Sequence, residues 1–148
     1  ILVGDTPLAR NTYRELHARN ERVTLIIPVG VNEAAFEGAD IVIGDPSDIE
    51  VLRTAGAEHA KAIIALTEDD SENAFVVLAA KEVSETAKTV AAVSNARNLT
   101  RVRRVHPDMV LAPQVLGGEL LAMVLTGEPI EGEQVLNKLF NSTPTHEH

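Results

Sequence analysis

The sequence contains no cysteine, and aromatic residues make up only 3% of its 148 positions. The absence of cysteine excludes disulfides, zinc–thiolate sites and thiol catalysis, and it fits a reducing compartment. Hydrophobic residues nevertheless make up 45% of the chain, which is enough for a sizeable core. With so few aromatics, that core must be built from Val, Ile, Leu and Ala, as in a parallel sheet covered by helices on both faces.

Basic residues are also scarce, because 13 Lys and Arg stand against 22 Asp and Glu, giving a formal net charge of −9. An acidic surface repels nucleic-acid phosphates and anionic lipid headgroups, so we expect no nucleic-acid partner and no direct lipid binding. No apolar run has the length that spans a bilayer, and no signal peptide is visible. The chain starts at Ile1 inside a predicted strand, so we expect it to be a fragment of a longer protein.

The clearest local pattern is a strand, a short helix and a second strand. An apolar run at 41–43 stops at an acidic Gly-Asp-Pro turn, Ser47 or Asp48 can cap the helix that follows, and Gly56 ends it. A second apolar run covers 62–66. Two strands joined by a helix must run parallel, because a hairpin cannot return the chain in the same direction. Functional side chains are therefore expected where these strands end.

The same alternation continues along the whole chain. It predicts an α/β fold with a Rossmann-like, doubly wound, mainly parallel six-stranded sheet and C-terminal crossover helices. The predicted strands cover 1–3, 23–27, 40–43, 61–66, 90–93 and 109–112. The predicted helices cover 7–20, 32–36, 47–55, 69–84, 96–104, 113–126 and 131–140.

The turn after the first strand occupies the place of a dinucleotide fingerprint, G-x-G-x-x-G. Gly4 supplies the first glycine, whereas Thr6 and Ala9 stand at the other two positions. No carboxylate that could hold a ribose follows the second strand, which ends at Ile27-Pro28. The pattern favours a fold that keeps the turn but has lost tight dinucleotide binding. A weaker site for a nucleotide such as NAD or ADP stays open, because a helix N-terminus attracts anions.

Asp45 and Thr67 lie at the ends of predicted strands, beside that turn. They could contact a ribose, an adenine or a metal, or they could simply cap the helices that follow. The acidic run at 68–72 suits a helix start and lacks the spacing of a calcium loop, so we expect no metal site. The sequence contains no catalytic motif of the Ser/His/Asp, Walker or G-x-S-x-G kind, and it therefore predicts no catalytic residues.

Two predicted helices, at 74–80 and 115–125, are apolar on every face. Each could be covered within its own domain, but a chain of this length has little left to cover them, which favours self-association. The expected contact residues are Phe75, Leu78, Leu116, Leu120, Leu121, Val124, Leu125, Leu136 and Phe140. Arg97, Arg101 and Arg104 are predicted to share a helix face that either pairs with carboxylates of a neighbouring subunit or is solvated.

With these residues in view, the chain resembles the RCK (or KTN) domains that regulate potassium channels and transporters, and is most similar to those of Kch-type bacterial channels. The resemblance rests on the Gly-Asp turn followed by a Leu-x-x-Ala-Gly helix, on the acid-rich turn that ends in Asn73, and on the segments at 88–98 and 105–127. It covers nearly all of 1–140.

The resemblance implies a regulatory module rather than an enzyme. Residues 1–126 would form the Rossmann-like subdomain, 127–140 a dimerisation helix and 141–148 a flexible tail. Copies would assemble as dimers within a ring. The module would be a cytoplasmic domain tethered to the inner membrane through a pore domain of the same or a partner chain. Its ligands would bind near Gly4, Asp5, Asp45 and Thr67. The alternatives are a free-standing regulatory subunit of a potassium transporter and an NAD-dependent oxidoreductase domain.

Overall fold

The computed structural model describes residues 1–31 and 33–140, without the side chains of 35, 136 and 138–140. The tail predicted over 141–148 and the predicted contact side chains of Leu136 and Phe140 lie outside this description. The strands are β1 Leu2–Val3, β2 Thr24–Ile27, β3 Asp40–Ile43, β4 Ala62–Ala65, β5 Lys88–Ala92 and β6 Met109–Leu111. The α-helices are α1 Pro7–Ala18, α2 Ile49–Thr54, α3 Asp70–Val83, α4 Leu99–Arg103, α5 Pro113–Thr126 and α6 Gly132–Phe140. Three 3₁₀ turns cover Glu33–Phe36, Ala57–His59 and Ala96–Asn98.

The six strands form one sheet in the order β3-β2-β1-β4-β5-β6, and every neighbouring pair is parallel. The predicted Rossmann-like fold is confirmed. The strand order reverses between β1 and β4, and in such sheets the crevice beyond the carboxyl ends at this point is where ligands bind.

Both faces of the sheet are buried, as the aliphatic composition predicted. Successive side chains of a strand point to opposite faces. Leu2 and Leu25 accordingly pack on one side with Tyr13 of α1, whereas Val3 and Ile26 pack on the other side in the cluster that contains parts of α2 and α3. The sheet is therefore covered twice within a single chain.

Helix α1 begins at Pro7, as predicted, and Thr6 caps it. Leu8 and Leu16 are half-buried, whereas Ala9 and Tyr13 are buried. The Tyr13 ring carries a polar hydroxyl. That hydroxyl donates to the Glu37 carbonyl at 2.7 Å, which allows the ring to be buried.

Three elements differ from the prediction. The helix predicted over 32–36 is a 3₁₀ turn at Glu33–Phe36. Strand β5 starts at Lys88 rather than at residue 90, because the polar residue Thr89 exchanges hydrogen bonds with Asp108. The segment predicted as one helix at 96–104 is a 3₁₀ turn followed by the short helix α4. Arg97 lies in the turn and Arg104 follows the end of α4, so the three arginines do not share one face of a regular helix.

Within the part of the chain that the structure describes, no helix is both long enough and apolar enough to cross a membrane.

Candidate functional site

A cavity of about 510 Å³ lies at the carboxyl ends of the central strands. The start of α1 contributes Thr6, Pro7 and Asn11 to its wall, and the turn after β4 contributes Thr67 and Glu68. The ends of β5 and β6 complete it with Ser94, Pro113 and Gln114, among others. It therefore occupies the crevice at which the strand order reverses.

Gly4 lies against the backbone of Leu66 and Thr67, two residues that line the cavity, and could not be another residue without strain. Its φ is +120°, a conformation that residues with a side chain rarely adopt. A Cβ placed on it would lie 2.7 Å from the carbonyl oxygen of Leu66. Gly4 thus lets the chain leave β1 in close contact with the end of β4. This is the role that the first glycine of a dinucleotide fingerprint performs.

Thr6, at the middle glycine position of that fingerprint, fills the start of α1 with its side chain. Its hydroxyl donates to the Leu66 carbonyl at 2.7 Å and accepts from the Ala9 backbone N–H at 3.1 Å. Pro7 has no N–H at all. Two of the donors that a helix start offers to phosphate are therefore missing or already used. Ala9 is buried and suits the third position, which requires close packing of helix on strand.

Thr67 is held in place by Asn73, a fully buried residue of α3. The Asn73 amide oxygen accepts from the Thr67 N–H at 2.9 Å and from its hydroxyl at 2.7 Å. The amide nitrogen donates to the Thr67 carbonyl at 3.0 Å and to the Ala92 carbonyl at 2.9 Å. Asn73 thereby ties the ends of β4 and β5 together. Asn73 had no predicted role, because it directly follows the polar residues 70–72 at the start of α3.

Asp70 is a second polar residue that links α3 to the strand ends. Its carboxylate is buried and accepts from the N–H groups of Ser94 and Asn95, at 2.8 and 3.1 Å, and from the Asn98 side chain at 2.9 Å. Sequence reasoning placed it in a solvated acidic run. The true helix cap in that run is Asp69, which accepts from the Ser71 and Glu72 N–H groups.

The other predicted site residues do not line the cavity. Asp5 pairs with Arg10 at 3.2 Å. Asp45 is exposed and accepts from the backbone N–H and hydroxyl of Ser47, and these hydrogen bonds lower the pKa of its carboxyl. It is Asp48 that caps α2. Of the four predicted ligand-binding residues, only Thr67 lines the cavity, and Gly4 packs against its backbone.

The carboxylates near the start of α3 influence one another. Partial burial raises the pKa of Glu72, and the negative charges of Asp69 and then Asp45 raise it further. Among the described residues, no group of three or more His, Asp or Glu side chains is arranged to hold a metal ion. The arrangement suits reversible binding of a small ligand.

The helices that were predicted to be apolar all round do expose apolar side chains. Phe75 and Leu78 on the outer face of α3 are 59% and 46% exposed, while the opposite face of α3 packs on the sheet. On α5, Leu121, Val124 and Leu125 are 65%, 60% and 83% exposed. Leu116 and Leu120, also predicted as contacts, are half-buried. The residues that the structure describes therefore do not cover these faces.

Comparison with known proteins identifies the family to which the chain belongs. A family model described as the TrkA-N domain matches residues 1–113. The chain therefore belongs to the TrkA-N domain family. The resemblance that the sequence indicated is thereby confirmed.

Particular relatives are potassium channels. The voltage-gated potassium channel Kch of Escherichia coli (strain K12) is 42% identical over 148 residues, which cover 96% of this chain and 36% of the channel. A crystal structure of the GsuK RCK domain matches with a TM-score of 0.62 and 26% identity, over 78% of this chain and 26% of that one. The GsuK channel bound to NAD matches with a TM-score of 0.63 and 26% identity, over 78% and 21%. The chain thus spans about a third of the length of Kch.

Proposed function

We propose that this chain is a regulatory domain of a potassium channel and is not an enzyme. Its copies assemble through their exposed helix faces, and the arrangement of the assembled copies controls a pore domain in the membrane. Family membership and the similarity to Kch and to the GsuK RCK domain support this proposal. The domain would be cytoplasmic and tethered to the inner membrane through that pore, with the Rossmann-like subdomain at 1–126 and a dimerisation helix within 127–140.

The exposed face of α5 is the observation that carries the proposal. Leu121, Val124 and Leu125 lie on a helix that ends at Gly127, and Ile130 continues the apolar surface beyond it. Burying such a side chain fully contributes about 1.5–3 kcal/mol. An exposed apolar cluster of this kind marks an interaction surface. A second copy of the chain is the expected occupant, because a two-fold contact brings the same apolar side chains from both partners together.

A ligand at the cavity would act by binding one arrangement of the copies better than another, since only differential affinity shifts such an equilibrium. The cavity is the expected site because it lies at the strand reversal, where nucleotides bind in folds of this kind. The match to the GsuK channel bound to NAD adds support for a nucleotide-related ligand.

Sedimentation velocity of the native chain and of Leu125→Asp tests the assembly. We expect the native chain to be at least dimeric. The variant should dissociate with a Kd raised on the order of a hundredfold, because a charge without a partner would be buried. Val29→Asp is the matched control, since Val29 is 84% exposed in the turn after β2, far along the chain from α5. A monomeric native chain, or equal behaviour of the two variants, would contradict the proposal.

The channel function is tested in the longer protein that contains this chain. Potassium flux from liposomes should change on Leu125→Asp and stay at the native level on Val29→Asp. Equal flux from all three proteins would show that the α5 contact does not control a pore.

A further inference from the structure

Asn73 determines whether the Thr67 hydroxyl can donate a hydrogen bond to a ligand or only accept one. Both hydrogens of the Asn73 amide are donated to carbonyl oxygens, at 3.0 and 2.9 Å, so its oxygen must be the atom that faces the Thr67 hydroxyl. The two partners of that hydroxyl are Asn73 Oδ1 at 2.7 Å and the Asp69 carbonyl at 3.1 Å. Both are acceptors. The single hydroxyl proton of Thr67 is therefore used within the chain, and only lone pairs remain for a ligand.

The backbone donors at the neighbouring strand ends are used in the same way. Asp70 accepts the N–H groups of Ser94 and Asn95 after β5, and Thr6 accepts that of Ala9 in α1. Asn73 accepts the N–H of Thr67 after β4. These four N–H groups are therefore not offered to a ligand.

The charge of the cavity wall also favours a neutral ligand group over an anionic one. Glu68 is the only residue with a charged side chain among the described residues that line the cavity. The nearest arginine of α1, Arg10, pairs with Asp5. A phosphate group would thus meet the Glu68 carboxylate and no cationic side chain among the described lining residues, with the amides of Asn11 and Gln114 as its donors. A hydroxyl or amine of a ligand would meet the Thr67 lone pairs and the Glu68 carboxylate as acceptors.

We propose that this cavity takes the uncharged, hydroxyl-bearing part of its ligand, of the ribose kind found in a nucleoside, and disfavours phosphate. Asn73 is a positioning residue that makes Thr67 an acceptor for a ligand hydroxyl. The inference rests on the ligand site of the proposed function and specifies what that site selects. This selectivity distinguishes the cavity from a dinucleotide site that binds a pyrophosphate.

Isothermal titration calorimetry of the whole chain tests the selection. The probes are adenosine, 2′,3′-dideoxyadenosine, ADP and inorganic phosphate at one ionic strength. We expect adenosine to bind at least about tenfold more tightly than ADP, because hydrogen bonds to a charged group are worth more than neutral ones and are missing here. Loss of the ribose hydroxyls should weaken binding by about two- to tenfold.

Variants of Thr67 and Asn73 test the mechanism. Thr67→Val keeps the shape and removes the lone pairs, so adenosine binding should fall by about two- to tenfold, whereas Thr67→Ser should stay within about twofold. Asn73→Ala leaves the Thr67 hydroxyl with only the Asp69 carbonyl, at 3.1 Å, as an internal acceptor, so its proton can turn to a ligand more readily. The ratio of adenosine to ADP affinity should therefore fall, and a general loosening of the fold would not change this ratio. If Asn73→Ala does not fold, as judged by circular dichroism, the two Thr67 variants decide the question.

Three results would overturn the inference. Tighter binding of ADP than of adenosine would reject the selection and leave the ligand site standing. Binding that is the same in Thr67→Val as in Thr67→Ser would reject the role of the hydroxyl. No binding of any probe would reject the ligand class, while the assembly and flux experiments would still report on the regulatory role.

Discussion

Replacing Gly4 by alanine tests the close contact between the end of β1 and the Leu66 backbone at the end of β4. The new Cβ would lie 2.7 Å from the Leu66 carbonyl oxygen and 2.9 Å from its carbon, both backbone atoms that cannot swing away. Overpacking of this kind costs about 1–3 kcal/mol. A side chain at a φ of +120° adds about 1–3 kcal/mol of backbone strain. We therefore expect Gly4→Ala to lower the free energy of unfolding by about 2–6 kcal/mol.

Gly56→Ala is the matched control. Gly56 also has a positive φ, +89°, but a Cβ there would meet nothing within 4 Å. Gly56→Ala therefore measures the backbone strain of a positive φ without a steric clash of the added Cβ. The two variants should differ by about 1–3 kcal/mol, which corresponds to a urea midpoint about 1 M lower for Gly4→Ala at an m value of about 2 kcal/mol/M. The comparison requires equal protein concentrations, because assembly adds to stability. Equal midpoints would refute the close approach of β1 to the end of β4.

Two further predictions concern carboxylates of α3. Asp70→Ala should lower the free energy of unfolding by about 2–4 kcal/mol in urea titrations, because the Ser94 and Asn95 N–H groups would lose their buried acceptor. Asp70→Asn, which keeps one acceptor oxygen, should lose less, and an equal loss would speak against this role. Glu72 has a folded pKa raised above 4.5 by burial and by Asp69, so its charge reduces stability as the pH rises through that raised pKa. Glu72→Gln should accordingly raise the urea midpoint at pH 7 and leave it unchanged well below pH 4.5, whereas an offset independent of pH would contradict the pKa shift.

The fold could be predicted from the sequence because its signals are local and repeated. Apolar runs separated by capped helices define the parallel strands, and Asp48 and Thr6 cap the helices that the pattern requires. The errors occur where a polar residue is satisfied by a distant partner. The start of β5 was hidden by Thr89, whose partner Asp108 lies 19 residues further along the chain.

The candidate site was predictable only in part for the same reason. Gly4 and Thr67 were identified from their places after strands; Thr67 lines the cavity, and Gly4 packs against the Thr67 backbone. Asn73 and Asp70 hold the neighbouring strand ends across separations of 6 to 28 residues. Nothing in the spacing of the sequence shows such contacts. They depend on which strands become neighbours in the sheet.

Helix α3 touches the interior and the exterior of the domain within a short length. Asn73 holds Thr67 in its first turns, and Leu78 stands on the outside only five residues later, a rise of about 7.5 Å. A ligand that displaced Thr67 would pull on Asn73 in α3. Rigid-body movement of the helix would then shift Phe75 and Leu78 directly, without rearrangement of other side chains between the cavity and the outer face.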